Sequence, residues 1–235
     1  MDEIKIKSQK LTNTGKAISF QYKGEFRADV RHGFGLNKYS SKGRNDMYRG
    51  QFDKDELQGR GVYIFNNSDG KNQNSLYYVG EFKQGVAAGQ GKMVFRDGAT
   101  YHGTMVHASA HSQDALIEYA NGDRYQGVVI QGKKSGAGGT YTYRNGDVYE
   151  GAFQNDKKHA ESGKMKFPRL DAQYYGHFYD DKKVGKGVYE FGENSQFGSF
   201  KGYLDKNEDI SGPDQTFEFP MQKMTYTGEF QKNQM

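Results

Sequence analysis

The sequence predicts an all-β fold, an elongated single-layer antiparallel meander of β-hairpins, on three observations. A Tyr-x-Gly-x-apolar fragment returns nine times, at intervals of 23 to 30 residues. Most copies are followed by a second run in which Gly, Gly and aromatic or apolar residues alternate with polar ones. Turn-forming sequences punctuate the joints. A fixed period of this length marks a chain of small units that bury their apolar faces against their neighbours.

Along the chain, residues 1–19 read as a strand-like extension, with alternation in "EIKIK" at 3–7 and "KAISFQ" at 16–21. Residues 20–235 read as the array, eight repeats and a closing half. The first strand of each repeat is Tyr22-Gly24-Phe26, Tyr48-Gly50-Phe52, Tyr78-Gly80-Phe82, Tyr101-Gly103-Met105, Tyr125-Gly127-Val129, Tyr149-Gly151-Phe153, Tyr174-Gly176-Phe178, the variant Phe200-Gly202-Leu204 and Tyr226-Gly228-Phe230. The second strands carry Gly33, Gly35, Asn37 and Tyr39, then Gly59, Gly61, Tyr63 and Phe65, then Gly89, Gly91, Met93 and Phe95, and later Gly185, Gly187, Tyr189 and Phe191. Members two apart share a face of a strand. Glycines and rings therefore occupy one side together, and a cross-strand ring lying over bare glycine backbone compensates for the missing side chain.

The intervening positions, among them Lys23, Glu25, Arg49, Gln51, Glu81, Lys92, Glu150, Lys164 and Lys186, are polar with a few Val, Ile and Leu between them. One face is thus aromatic and the other largely solvated, as in an antiparallel sheet with a wet side. The links "RDG" at 96–98, "ANGD" at 120–123 and "RNGD" at 144–147 carry turn chemistry. A polar insertion occupies 66–76. Three repeats depart from the glycine pair: Gln113 and Ala115 stand there in the fourth, only Gly163 is kept in the sixth, and Ser211 and Pro213 are expected there in the eighth.

Composition excludes several classes. The 235 residues include 32 Gly, 18 Tyr and 16 Phe but no Cys, so disulfides, thiolate metal sites and cysteine nucleophiles are absent. Mean hydropathy is −0.98, too low for a thick aliphatic core. The N-terminal "MDEIKIKSQKLT" lacks a signal-peptide core, and no run reaches the roughly 20 apolar residues of a membrane span. A net charge of +4, from 33 basic and 29 acidic residues, does not favour nucleic acid as a partner.

"YKGEF…GFG", "YRGQF…GRG", "YVGEF…GQG" and "YYGHF…GKG", with their "NGD-x-Y" links, resemble the MORN repeat across about residues 20–235. The resemblance implies a single-layer hairpin array, non-enzymatic and without cofactor, that serves as a scaffold or binding module. It further implies a place in cytoskeletal or ciliary assemblies such as radial spokes, or at membranes, and a cytoplasmic location. A regulatory subunit of an enzyme complex is a further alternative from the same source.

Three surfaces are candidates for binding. Tyr39, Phe65, Phe95, Tyr119, Tyr143, Phe167 and Phe191 have no second layer to cover them and form a groove for an extended segment or amphipathic helix of another protein; the alternative is that these rings only satisfy one another. Lys133–Lys134, Lys157–Lys158 and Lys182–Lys183 fall at three successive hairpin turns and form a basic rim for anionic lipid, or else a solvated edge partly cancelled by Asp156, Asp180 and Asp181. Tyr226, Gly228 and Phe230 form an unpaired strand suited to homodimerisation. No chemistry-bearing motif competes with these. "GKKSGAGGT" at 132–140 lacks the strand-to-helix setting of a phosphate loop, and His107, His111 and Asp114 lie in a hairpin turn without a converging ligand set.

Overall fold

The computed structural model describes residues 3–13, 16–40, 45–66, 74–193, 195 and 198–234, with side chains from residue 19 onward. Most of the polar insertion at 66–76 lies outside these residues, as do the side chains of the N-terminal extension. The chain forms two compact units, Met1–Ala120 and Asn121–Met235.

The first unit is a run of antiparallel strands: Glu3–Asn13, Lys16–Arg27, Val30–Ser40, Met47–Asp53, Glu56–Ile64, Ser75–Lys83, Val86–Phe95, Thr100–Val106, Ser109–Ala110 and Ser112–Glu118. Each pairs with its successor, and the last two both return along Thr100–Val106. The second unit repeats the plan with Arg124–Ile130, Lys133–Thr142, Val148–Gln154, Lys157–Lys158, Ala160–Phe167, Ala172–Tyr179, Lys182–Phe191, Ser199–Leu204, Gly212–Phe219 and Met224–Phe230. The expected hairpin meander is therefore present in both.

Local chemistry explains the hairpins. Their turns hold two successive residues at positive φ, for example Lys54 and Asp55 (46° and 69°) or Asn155 and Asp156 (50° and 74°). That pair of angles is the primed turn whose twist matches the flanking strands, and Asn and Asp tolerate it. The turn aspartates also bind one hairpin to the one before. Asp55 N–H donates to the Arg31 carbonyl at 3.1 Å while its carboxylate accepts the Arg31 backbone N–H at 2.9 Å. Asp156 repeats this with Lys134, and Asp181 with Lys158. At the opposite end of the strands, Asp46 accepts from Tyr63 Oη and Asn66 N–H, and Asp123 from Tyr141 Oη and Arg144 N–H. Burial works against the charge of Asp123, but these donors outweigh it and hold its carboxyl below the ordinary range.

The core is made of rings on glycine. Tyr22, Tyr48, Tyr78, Tyr125, Tyr149 and Tyr174 are fully buried. As the sequence suggested, a ring from the neighbouring strand covers the second-strand glycine. The same ring, two residues before a glycine of its own strand, covers that one as well and so spans a cross-strand glycine pair. Tyr48 lies over Gly50 and its register partner Gly61, so that a Cβ on Gly61 would sit 2.5 Å from the ring. The hydroxyl then reaches a carbonyl three residues on: Tyr48 donates to Gln51 O at 2.9 Å and Tyr125 to Val128 O at 2.8 Å. Burial raises the pKa of these phenols, to about 12 for Tyr22 and Tyr78, and in the same direction for Tyr48, Tyr149 and Tyr174.

Four phenylalanines each lock one of these tyrosines to the one before; Met105 and Val129 stand at that position in the fourth and fifth repeats. Phe52 is edge-on to both Tyr48 and Tyr22 (5.1 and 5.0 Å), and Phe82 to Tyr78 and Tyr48 (5.3 and 4.9 Å). In the second unit Phe153 bridges Tyr149 and Tyr125, and Phe178 bridges Tyr174 and Tyr149. T-shaped pairs at these separations each add about 0.5–1.5 kcal/mol beyond burial.

The first glycine of each pair has a different task. Gly33 and Gly59 adopt φ of 60° and 64°, where a side chain is strained. There the register slips, and Glu25 Oε1 and Gln51 Oε1 accept the N–H groups of Phe34 and Arg60 just beyond. This accounts for the Glu or Gln after the strand glycine. In the eighth repeat Gln215, rather than Pro213, lies against Gly202. It is buried, accepts the Tyr203 N–H at 2.7 Å and donates to Ser211 O at 2.9 Å, so a satisfied amide stands where glycine stood.

Candidate functional site

With Tyr22 through Tyr174 and their phenylalanines buried, the open apolar surface of the first unit lies on the other face. Its groove, about 670 Å³, is floored by Phe34, Val62 and Val79 and the backbone of Gly50, Gly61, Gly80 and Gly91, with Arg49 and Arg60 beside them. Phe34 is 61% exposed and Val79 41%. The groove exists because the glycines project nothing on either side while their neighbours stand up around them. Sequence reasoning assigned this face to solvent. The signal lay in Phe34 and Val79, whose positions are polar in most other repeats, together with Leu36 and Val62, whose position is apolar again at Leu116 and Val188.

The second unit has two cavities. One, about 1030 Å³, lies on the corresponding outward face, between Tyr175, His177, Lys186, Val188, Lys201 and Tyr203. Its lysines face Glu161 and Asp214 across the same groove. The other, about 380 Å³, is on the ring side, lined by Phe167, Leu170, Tyr189, Phe191, Phe200 and Phe217 among others.

The seven aromatic residues expected to line a groove are all half-buried. Tyr39 stacks with Tyr63, Phe65 leans on Tyr63, Tyr143 on Tyr141, and Phe191 stacks with Tyr189. Phe95 ends its strand, its N–H bonded to Ala99 O, and Tyr119 directly follows Ser112–Glu118. Only Phe167 and Phe191 border the ring-side cleft. In the first unit these half-buried rings pack against one another at the link end of the strands, and Tyr39 borders a cavity of about 550 Å³ with Phe20, Lys38 and Asp46.

The lysine pairs are divided by the structure. Lys134 folds inward, its side chain 12% exposed, 5.3 Å from the Tyr141 centroid and 3.8 Å from Asp156. Lys158 donates to Tyr143 Oη at 2.8 Å, and Lys183 pairs with Glu208 at 3.1 Å while lying over Phe167. Of the outer three, Lys157 pairs with Asp180 at 2.8 Å, Lys182 reaches the Lys206 carbonyl, and Lys133 is exposed. A rim of six cations is thus reduced by internal partners to a much weaker field. The sequence showed the acids beside the lysines; it did not show that alternate lysines turn onto the rings.

Tyr226 and Gly228 lie in Met224–Phe230, which pairs with Gly212–Phe219, and Phe230 is buried against Phe217. His107 sits in a hairpin turn at φ 47° and His111 N–H bonds to Thr104 O. Among the described residues no three His, Cys, Asp or Glu side chains cluster as metal ligands.

The MORN repeat family model matches residues 22–44, 48–70, 78–100, 125–148, 149–161 and 174–196. Comparison with curated proteins finds no match.

Proposed function

The chain belongs to the MORN-repeat family, whose repeats serve protein interaction or membrane binding and whose members are generally non-enzymatic scaffolds, and from that premise we propose that this protein is a non-enzymatic scaffold that captures another protein in the outward groove of its first unit. The observation that carries the reading is that exposed Phe34 and Val79 and half-buried Val62 floor one groove beside Arg49 and Arg60. Contiguous apolar surface in a groove marks an interaction site. The rings already supply the fold, so these three residues serve no internal packing of comparable size. The assembly it joins is cytoskeletal or ciliary and cytoplasmic on this proposal; its support is the family resemblance alone.

Serine at both Phe34 and Val79 should abolish capture of the partner in a pull-down from native extract and leave the thermal transition within a few degrees. Each lost anchor is worth about 2 kcal/mol at the centre of an interface. Undiminished capture by that double variant would sink the reading. Membrane binding is less favoured because the turn lysines are matched by Asp156, Asp180 and Glu208. Salt-sensitive sedimentation with anionic vesicles, lost on reversing Lys133, Lys157 and Lys182, would restore it.

A further inference from the structure

Cross-strand register lines up one row on the outward face of the first unit: Lys23, Leu36, Arg49, Val62, Val79 and Lys92, on six successive strands. Phe34 and Arg60 stand in the adjacent row, opposite Gln51 and Glu81 respectively. At about 4.8 Å per strand, Lys23 to Lys92 spans about 24 Å. Apolar side chains thus sit between cations all along the groove.

These cations differ from those at the turns. Among the described residues, the side chains of Lys23, Arg49, Arg60 and Lys92 make no hydrogen bond or ion pair, whereas Arg31, Lys134, Lys157 and Lys183 each pair with an acid. Against the four stand two carboxylates, Glu25 and Glu81, and Glu25 is already engaged by the Phe34 N–H. At the end of the row His102 lies below its ordinary pKa, held there by burial first and then by Lys92, against the opposing pull of Glu118. Unpaired charge and open apolar surface therefore coincide. In the outward groove of the second unit the balance differs: Lys186 and Lys201 share the lining with as many carboxylates, Glu161 and Asp214.

We infer that the groove of the first unit takes an acidic, apolar-anchored segment of a partner protein, its Leu- or Phe-like side chains seated between Phe34, Val62 and Val79 and its carboxylates on Arg49, Arg60, Lys23 and Lys92. The inference rests on the proposed scaffold reading and adds the chemistry of the partner. Arginine guanidinium, weakly hydrated and able to bond a carboxylate with two N–H groups, suits such a contact. A flat bilayer does not reach the floor of a groove, so the anionic surface in question is a peptide.

Fluorescence anisotropy of the full chain with three labelled probes of about 16 residues tests it: one of Leu and Glu, one with Lys in place of Glu, one with Ser in place of Leu. The Leu/Glu probe should bind at least about tenfold more tightly than either other, and Arg49→Glu with Arg60→Glu should remove that preference. Arg169→Glu, on an exposed turn of the second unit, should not. Equal binding of the Glu and Lys probes, or a Leu/Glu affinity indifferent to the arginine reversal, overturns the inference. So does binding to phosphatidylserine vesicles that is lost with the same reversal while the peptides fail. If the Phe34 and Val79 exchange abolishes partner capture but the arginine reversal leaves it intact, the scaffold reading stands and the acidic partner does not.

Discussion

Alanine at Gly61 should cost several kcal/mol and melt the hairpins around it, although it adds a single methyl group. The new Cβ would lie 2.5 Å from Cε2 and Oη of Tyr48, which is fully buried and held on its other side by Phe52 and Phe82. The ring has nowhere to retreat without breaking its hydroxyl bond to Gln51 O and both edge contacts. Overpacking of a tight core costs about 1–3 kcal/mol, and leaving a buried hydroxyl without its acceptor adds about 1–3 kcal/mol. Gly138 supplies the control. A Cβ there meets nothing within 4 Å and the backbone is not at a restricted positive φ, so Gly138→Ala should be neutral or slightly stabilising. Chemical denaturation of both variants checks the contrast. A Gly61→Ala protein as stable as its parent would mean that the rings do not seat on the glycine pair.

Alkali should unfold the protein over a narrow range, driven by the same tyrosines. A free phenol ionises near pH 10, whereas burial raises Tyr22 and Tyr78 to about 12 and shifts Tyr48, Tyr149 and Tyr174 the same way. The folded state thus binds the phenolic proton more tightly than the unfolded state does. That stabilisation is fully present below about pH 10 and is lost as pH rises from about 10 through about 12, because only the unfolded chain releases the proton in this window. Several tyrosines act together, so the slope should be steep. Tyrosinate absorbance followed alongside far-ultraviolet circular dichroism should show the main ionisation and the loss of β-structure as one transition. Smooth ionisation of these phenols with the fold intact would contradict their burial.

Much of the fold was legible because its unit is short and local. The two-residue alternation of Tyr48, Gly50 and Phe52, or of Gly59, Gly61 and Tyr63, identifies strands, faces and pairing partners without reference to distant parts of the chain. What could not be read is what depends on a slip in register. Gly59 and Gly61 look equivalent in the sequence, but the first takes φ of 64° at the slip and the second carries the ring. Counting across that slip misplaced the eighth repeat, where Gln215 fills the position assigned to Pro213. It also hid the lysines, since Lys134, Lys158 and Lys183 follow turns whose side-chain direction is set by the primed geometry rather than by strand parity. The outward groove escaped notice for another reason. At most repeats its positions are polar, and Phe34, Leu36, Val62 and Val79 in the first three depart from that, as Leu116, Tyr175 and Val188 do later in the chain.

The central claim is that the rings form the core and the opposite face of the first unit is the one that meets a partner. Hydroxyl-radical footprinting of the protein, alone and with its captured partner, tests this residue by residue. Free protein should be labelled at Phe34 and Val79 and protected at Tyr22, Tyr48 and Tyr78, and the partner should protect Phe34 and Val79 in turn. Strong labelling of those three tyrosines, or partner protection confined to Tyr39, Phe65 and Phe95, would place the working surface on the ring side and contradict the account.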